Sequence, residues 1–250
     1  MTEKKGRTFS IILYIIGVFT AVLFAGSIIW ANFELPFYFD YSYASVSSEN
    51  QTRANLNCPI FLTTHETGTV RTDITNNTDK TLNPVFRGEI SYLGGIARDV
   101  EFKPTILPGE SSKIEIEVNS NDIVFNFMIL ARTYQLPTYK TPAEAGSCAI
   151  VMLPIPFLTG DQVYYISFFV IILLIGAGIF LWIKNNRPLR GMSRRVFNIM
   201  ILLAILLLAA IFCGITDGLM ILGLLLLVLI ALLIMVAIVY FGASPQDNEI

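Results

Sequence analysis

Four stretches of this chain hold almost nothing but apolar side chains: residues 9–31, 163–183, 196–213 and 219–241. Each runs for about 18–23 residues, and a helix needs about 20 to cross a hydrocarbon core of about 30 Å. Charged residues make up only 14% of the chain, against about 25% in an average soluble protein, and the shortfall is concentrated in these blocks. The pattern predicts four transmembrane helices. The remaining continuous stretch, 32–162, has ordinary polar composition and enough length to bury its own core.

The basic residues predict an orientation. Lys4, Lys5 and Arg7 precede the first block, and Lys184, Arg187, Arg190, Arg194 and Arg195 crowd the loop after the second. The 214–218 connection has no Lys or Arg. By the positive-inside rule, the N-terminus (1–8), the basic loop (184–195) and the tail (242–250) are expected in the cytoplasm. Residues 32–162 and the 214–218 turn are then outside, in a multi-pass protein of the cell membrane. The apolar run 9–31 exceeds the usual h-region of about 7–15 residues, so it reads as a retained anchor rather than a cleaved signal. Trp30, Tyr164, Tyr165, Trp182 and Tyr240 fall at block ends, where amphipathic rings favour the headgroup layer.

Between the first two blocks the text changes character. From 58 to 153 short strand-like runs alternate with turns: "CPIFLTT", "TVRTDIT", "VFRGEISYL", "RDVEFKPTI", "SKIEIEV", "VFNFMILARTY" and "SCAIVML". In "KIEIEV", Ile114, Ile116 and Val118 share one face and Lys113, Glu115 and Glu117 the other. Period 2 with one charged face is the signature of a half-buried antiparallel strand. About seven strands separated by turn signals predict a β-sandwich.

The turn "TDITNNTDKTLNPVF" and, some 20 residues on, "ILPGESSKIEIEV" resemble the immunoglobulin-like sandwich domains of bacterial and archaeal surface proteins of the CARDB kind. That resemblance covers about 58–153. It implies a fold and a habit of adhesion or subunit docking, with no catalytic residues attached. In an immunoglobulin-like order Cys58 and Cys148 fall on the first and last strands, which can lie side by side. The resemblance therefore implies a disulfide closing a loop of about 90 residues, worth about 4 kcal/mol in the chain-entropy model; the alternative is two buried thiols. The helical part resembles no family beyond the layout of claudin-like proteins, whose tryptophan and paired-cysteine signature is missing here. The expected fold is thus α plus all-β: four transmembrane helices, with an immunoglobulin-like antiparallel sandwich (58–153) between the first and second. A linker (154–162) follows the sandwich.

Chemistry-bearing constellations are sparse. The sole histidine, His65, sits beside Glu66 in "TTHETG" and reads as a solvated turn residue; copper and zinc sites need more ligands than one histidine provides. No phosphate loop, nucleophile elbow or dinucleotide fingerprint occurs. No metal or cofactor is expected, and the chain is not read as an enzyme. Residues 32–162 hold nine Lys or Arg and fifteen Asp or Glu, a net −6, which argues against nucleic acid. The apolar blocks contain no Asp, Glu, Lys, Arg or His, where a proton-coupled transporter would carry them.

Two patterns point to contacts. Gly17, Ala21 and Ala25 lie on one helical face of the first block, a small-residue stripe that lets helices approach closely. Its neighbour is another span of this chain or a second protein. Within the segment 32–57, residues 33–45 read "FELPFYFDYSYAS", in which Phe37, Phe39, Tyr41 and Tyr43 alternate with Tyr38, Asp40 and Ser42, as an extended arm would. Tyr-rich exposed stripes suit contact surfaces; membrane interface and domain packing are the competing uses. The sequence favours an accessory or scaffold subunit, with lipid and other membrane subunits or a second copy as partners. The alternative is a transporter or channel component whose outer domain gates or captures a ligand. A third reading is a subunit that lines a site whose cofactor a partner supplies. Asn50 and Asn76 fall in N-x-T sequons.

Overall fold

The computed structural model describes residues 2–39, 56–93, 97–136, 145–216 and 219–242. Tyr41, Tyr43 and Asn50 lie outside the described residues. The chain divides into two units, Met1–Ile29 with Ile166–Ile250, and Trp30–Tyr165.

The helical unit draws on α1 (Thr2–Tyr38), α2 (Gly160–Asn185), α3 (Met192–Ile215) and α4 (Met220–Gly242). Among the described residues, α1, α2 and α3 are long and apolar enough to cross a membrane; the apolar stretch of α4 within them, Ile221–Met235, is shorter. The small-residue face is spent inside this chain. A side chain on Gly17 would meet Leu174 and Ile175 of α2 at about 3 Å, one on Gly178 would meet the Tyr14 backbone, and Ala21 and Ala25 are fully buried. Two polar groups inside α1 are satisfied by carbonyls of other helices. Ser10 Oγ donates to Gly178 O at 2.8 Å, and Tyr14 Oη donates to Met200 O at 2.6 Å. Trp182 is buried and donates through Nε1 to Ser193 O at 3.1 Å, so it braces the α2–α3 connection instead of facing the headgroup layer. Arg7 donates to Asn185 O at 3.4 Å, which brings the start of α1 beside the basic α2–α3 connection.

The second unit contains two sheets over one core. The smaller has the order β1-β3-β6, with β1 Leu56–Asn57, β3 Gly68–Thr75 and β6 Ser111–Val118. The larger has the order β2-β8-β7-β4-β5, with β2 Phe61–Thr63, β4 Phe86–Ile90, β5 Arg98–Phe102, β7 Met128–Gln135 and β8 Ala145–Leu153. Val70, Ile114, Ile116 and Val118 from the first sheet meet Phe86, Ile90, Ile129 and Ile150 from the second in a single buried cluster. Strand β6 keeps Ile114, Ile116 and Val118 inward and Lys113, Glu115 and Glu117 outward.

The expectation of a wholly antiparallel sandwich needs correction at one edge. The first strand splits: β1 pairs with β3, then the chain crosses over and β2 pairs with β8 in parallel, Phe61 opposite Val151. That register has an offset of 90 residues. Cys58 and Cys148 share the same offset and are joined in a disulfide, so the bridge continues the β2–β8 register at the crossover.

The polar turn after β3 is held by Asn76, which is fully buried. Its Nδ2 donates to Lys80 O (2.8 Å) and Ile106 O (2.9 Å), while Oδ1 accepts from the Thr78 amide (3.0 Å) and hydroxyl (2.7 Å). Its backbone exchanges bonds with Glu110 O and the Gly109 amide; Gly109, at φ 74°, provides the left-handed turn that meets it. Asn76→Ala is expected to destabilise the β unit by about 2–4 kcal/mol, since the four hydrogen bonds of this buried side chain are lost together. Denaturant unfolding of wild type and variant measures it; a difference below about 0.5 kcal/mol would contradict this role.

Candidate docking surface

The segment expected to be an extended arm from residue 32 is helical as far as Tyr38. Period 2 and period 3.6 both fit "FELPFY", and helix α1 simply continues outward from its apolar part. Pro36 is tolerated because it lies in the last turn of α1, where few further helical bonds depend on it. Trp30, Phe33 and Phe37 then stand at i, i+3 and i+7 on one face. Their rings form a ladder, with centroids 6.1 Å apart between Trp30 and Phe33 and 5.2 Å between Phe33 and Phe37. Phe37 is 68% exposed.

The next two residues turn toward the sheets. Tyr38 packs edge-on against Phe125, with centroids 6.3 Å apart, and its hydroxyl accepts from the Tyr92 amide at 3.4 Å. The Phe39 carbonyl accepts from Arg132 at 3.3 Å, and that guanidinium lies over the Tyr134 ring at 5.2 Å. So of the aromatic candidates, Phe37 faces outward and Phe39 is tied to β7. Phe125 belongs to the turn Val124–Phe127, where Phe125 and Asn126 both have positive φ, 53° and 67°. Asn tolerates that conformation; a Phe there costs about 1–2 kcal/mol relative to glycine.

The other entry to this end of the sheets is the start of α2. Thr159 caps it: Thr159 Oγ1 accepts from the Gln162 amide (3.3 Å) and Gln162 Oε1 from the Thr159 amide (3.1 Å). Glu66 completes the cap from the sheet side. Its Oε2 accepts from the Gly160 amide at 2.7 Å and from the Thr63 amide at 3.2 Å. Gly160 has no room for a side chain, because a β-carbon would fall on the Phe61 carbonyl. Beside this junction lies an open cleft of about 470 Å³ lined by Phe61, Glu66, Arg71, Asp161, Tyr164 and Tyr165. His65 is exposed in the turn before it. Among the described residues no three His, Cys, Asp or Glu gather as a metal ion requires.

Sequence reasoning missed Glu66, Arg132 and Phe125. The "T-x-x-Q" spacing at 159–162 was a readable cap signal, and the i, i+3, i+7 spacing of Trp30, Phe33 and Phe37 a readable helix signal. Glu66 and Arg132 become partners only through tertiary contact, so nothing local marks them.

No family model matches the chain, and no curated protein matches it. Solved structures resemble it over about two fifths of its length. The CARDB domain of a Pyrococcus furiosus protein, solved in complex with di-metal ions, aligns with 41% of this chain and 93% of that domain, at 7% identity and a TM-score of 0.33. A β-glucosidase from Listeria innocua aligns over 40% of this chain but only 16% of its own, at 14% identity and a TM-score of 0.29. The superoxide reductase (neelaredoxin) from Ignicoccus hospitalis aligns over 41% of this chain and 81% of its own, at 9% identity and a TM-score of 0.28. A CARDB domain is thus among the structures similar to this chain, as its two turn motifs led one to expect.

Two predictions follow from this geometry. Glu66→Ala should cost about 1–2 kcal/mol at the start of α2, and Glu66→Gln less, because an amide oxygen still accepts but no longer complements the helix dipole. Hydrogen exchange of the peptide covering 159–165 reads this directly, and unchanged protection in Glu66→Ala would refute it. Second, burial holds the Tyr134 phenol above its ordinary pKa, helped by its 2.8 Å hydrogen bond to Glu89. A group whose folded pKa is raised stabilises below its unfolded value, near 10, and that contribution is lost as pH rises through the folded value. Melts taken across about pH 9–11 should fall more steeply for wild type than for Tyr134→Phe; parallel slopes would exclude it.

Proposed function

We propose that this chain is a non-catalytic accessory or scaffold subunit of a membrane complex, anchored by four helices and presenting an immunoglobulin-like sandwich outside the cell. The fourth span is α4, whose apolar block runs through 219–241. The orientation is supported by exposed Arg7, Lys184, Arg187, Arg190 and Arg194, with Arg7 bonded to the connection that carries the others. On this reading both termini are cytoplasmic and residues 32–162 are extracytoplasmic.

The observation that carries the docking role is the ladder of Trp30, Phe33 and Phe37. It is a face of large rings on a helix, and Tyr38 and Phe39 hold that helix end against the sheets. Aromatic anchors on ordered elements lose little entropy on binding and dominate interface energies. The partner is another membrane subunit or a second copy. The small-residue stripe of α1 is not part of it, since Gly17 packs on α2.

Purification in mild detergent, followed by native mass measurement, tests the reading. Wild type is expected to carry a partner or a second copy. Phe37→Ala should weaken that assembly by about 2 kcal/mol, close to 30-fold in dissociation constant. A wild-type chain that stays monomeric with nothing bound would overturn the proposal.

A further inference from the structure

The end of the β unit that receives both helices carries three large apolar side chains that stay largely exposed: Leu93 (71%), Phe125 (55%, with Tyr38 against one edge of its ring) and Phe157 (88%). They come from three separate loops, and each loop is fixed. The 91–93 loop is held by Ser91, whose hydroxyl donates to Asp122 O at 2.6 Å and accepts from the Leu130 amide at 2.9 Å, and by the Leu93 amide on Asn121 O at 3.3 Å. Phe125 projects from the positive-φ turn, where Asn or Gly would sit without strain. Phe157 lies two residues before the Thr159 cap of α2.

Their position along the chain says what covers them. Tyr38 touches both Phe125 and the Tyr92 amide, and at 1.5 Å per residue it lies about 10 Å beyond residue 31, where the first apolar block ends. Phe157 lies six residues before the second block, which starts at 163. A bilayer adds several ångströms of headgroup region to each side of its core, so all three side chains emerge at the margin of that region. The loops read "SYL" (91–93), "VFNF" (124–127) and "PIPFLT" (154–159), with no charged residue in any of them. Attraction to anionic headgroups therefore has nothing to act on, whereas apolar burial at the acyl boundary does.

We propose that Leu93, Phe125 and Phe157 insert into the outer lipid interface, seating this end of the β unit on the membrane by a contact that needs no anionic lipid. This rests on the reading of α1 and α2 as membrane spans. The ladder at Phe37 lies on a different face of α1 from Tyr38, so protein docking there and lipid contact at the loops are compatible.

The test uses the full chain, as Cys213→Ala with the Cys58–Cys148 disulfide intact, in nanodiscs of zwitterionic phosphatidylcholine. Nitroxide labels are placed on single cysteines at positions 93, 125 and 157, at Asp79 in the turn at the opposite end of the sheets, and at Ile172 in the middle of α2. Collision with oxygen is compared with collision with a water-soluble nickel chelate. The three loop labels should show an oxygen-to-nickel ratio several-fold above that at 79 and below that at 172, equal at low and high salt. Loop labels matching 79 would overturn the proposal. So would loop labels shielded from both reagents, which would mean a protein covers them. An aqueous reading at 172 would instead sink the spanning interpretation, and this inference with it.

Discussion

A helix can begin against a β-strand only if no side chain stands between them and something answers its unpaired amides. Gly160 meets the first condition, since a β-carbon would fall on the Phe61 carbonyl. Glu66 meets the second, reaching from the turn after β2 to the Gly160 amide. The strand that Gly160 presses against is also the strand that pairs with β8, and β8 is the strand that leads into α2. The connection 154–159 therefore leaves and returns to the same pair of strands. The Cys58–Cys148 bridge falls in the same 90-residue offset as the β2–β8 register. Bridge, parallel pair and helix cap are three fastenings of one block, and the position of Phe157 follows from it.

That block also explains why the first strand divides. A single strand pairing with β3 along its whole length could not bring Phe61 to β8. Crossing at Cys58–Pro59 places β1 on one sheet and β2 on the other. Pro59 suits the crossover because it has no amide proton to leave unpaired where neither ladder can accept it.

What the sequence disclosed and what it hid divide along the range of the interactions. Local periodicity was legible: the apolar blocks, the inward Ile114, Ile116 and Val118 of β6, and the turns on either side. The Cys58–Cys148 pairing came from the resemblance, because spacing alone cannot choose a partner strand. The course of 32–38 was misread, since six aromatic residues in eleven satisfy both period 2 and period 3.6. What separates the two is the row of rings Trp30, Phe33 and Phe37, exposed at its two ends, and Tyr38 turned toward Phe125, a residue 87 positions away. Ser10 and Tyr14 do not stand out in the sequence because neither carries a charge at neutral pH. In a low-dielectric bundle, though, a hydroxyl donating to a carbonyl on a neighbouring helix is worth about 0.6–2 kcal/mol. Trp182 sits where an interfacial ring belongs and is instead claimed by Ser193 O.

Asn76 shows how one residue type can support opposite readings. As part of an N-x-T sequon it reads as an acceptor for a sugar, which would replace a hydrogen on Nδ2. In the fold both Nδ2 hydrogens are engaged, by Lys80 O and Ile106 O, and the side chain has no exposed surface. Thr78, the residue that completes the sequon, donates its hydroxyl back to Asn76 Oδ1. The two residues that would define a glycosylation signal therefore close a turn on each other instead. A sugar at this position is incompatible with the folded turn, and the Asn-rich stretch between β3 and β4 serves to hold two loops together.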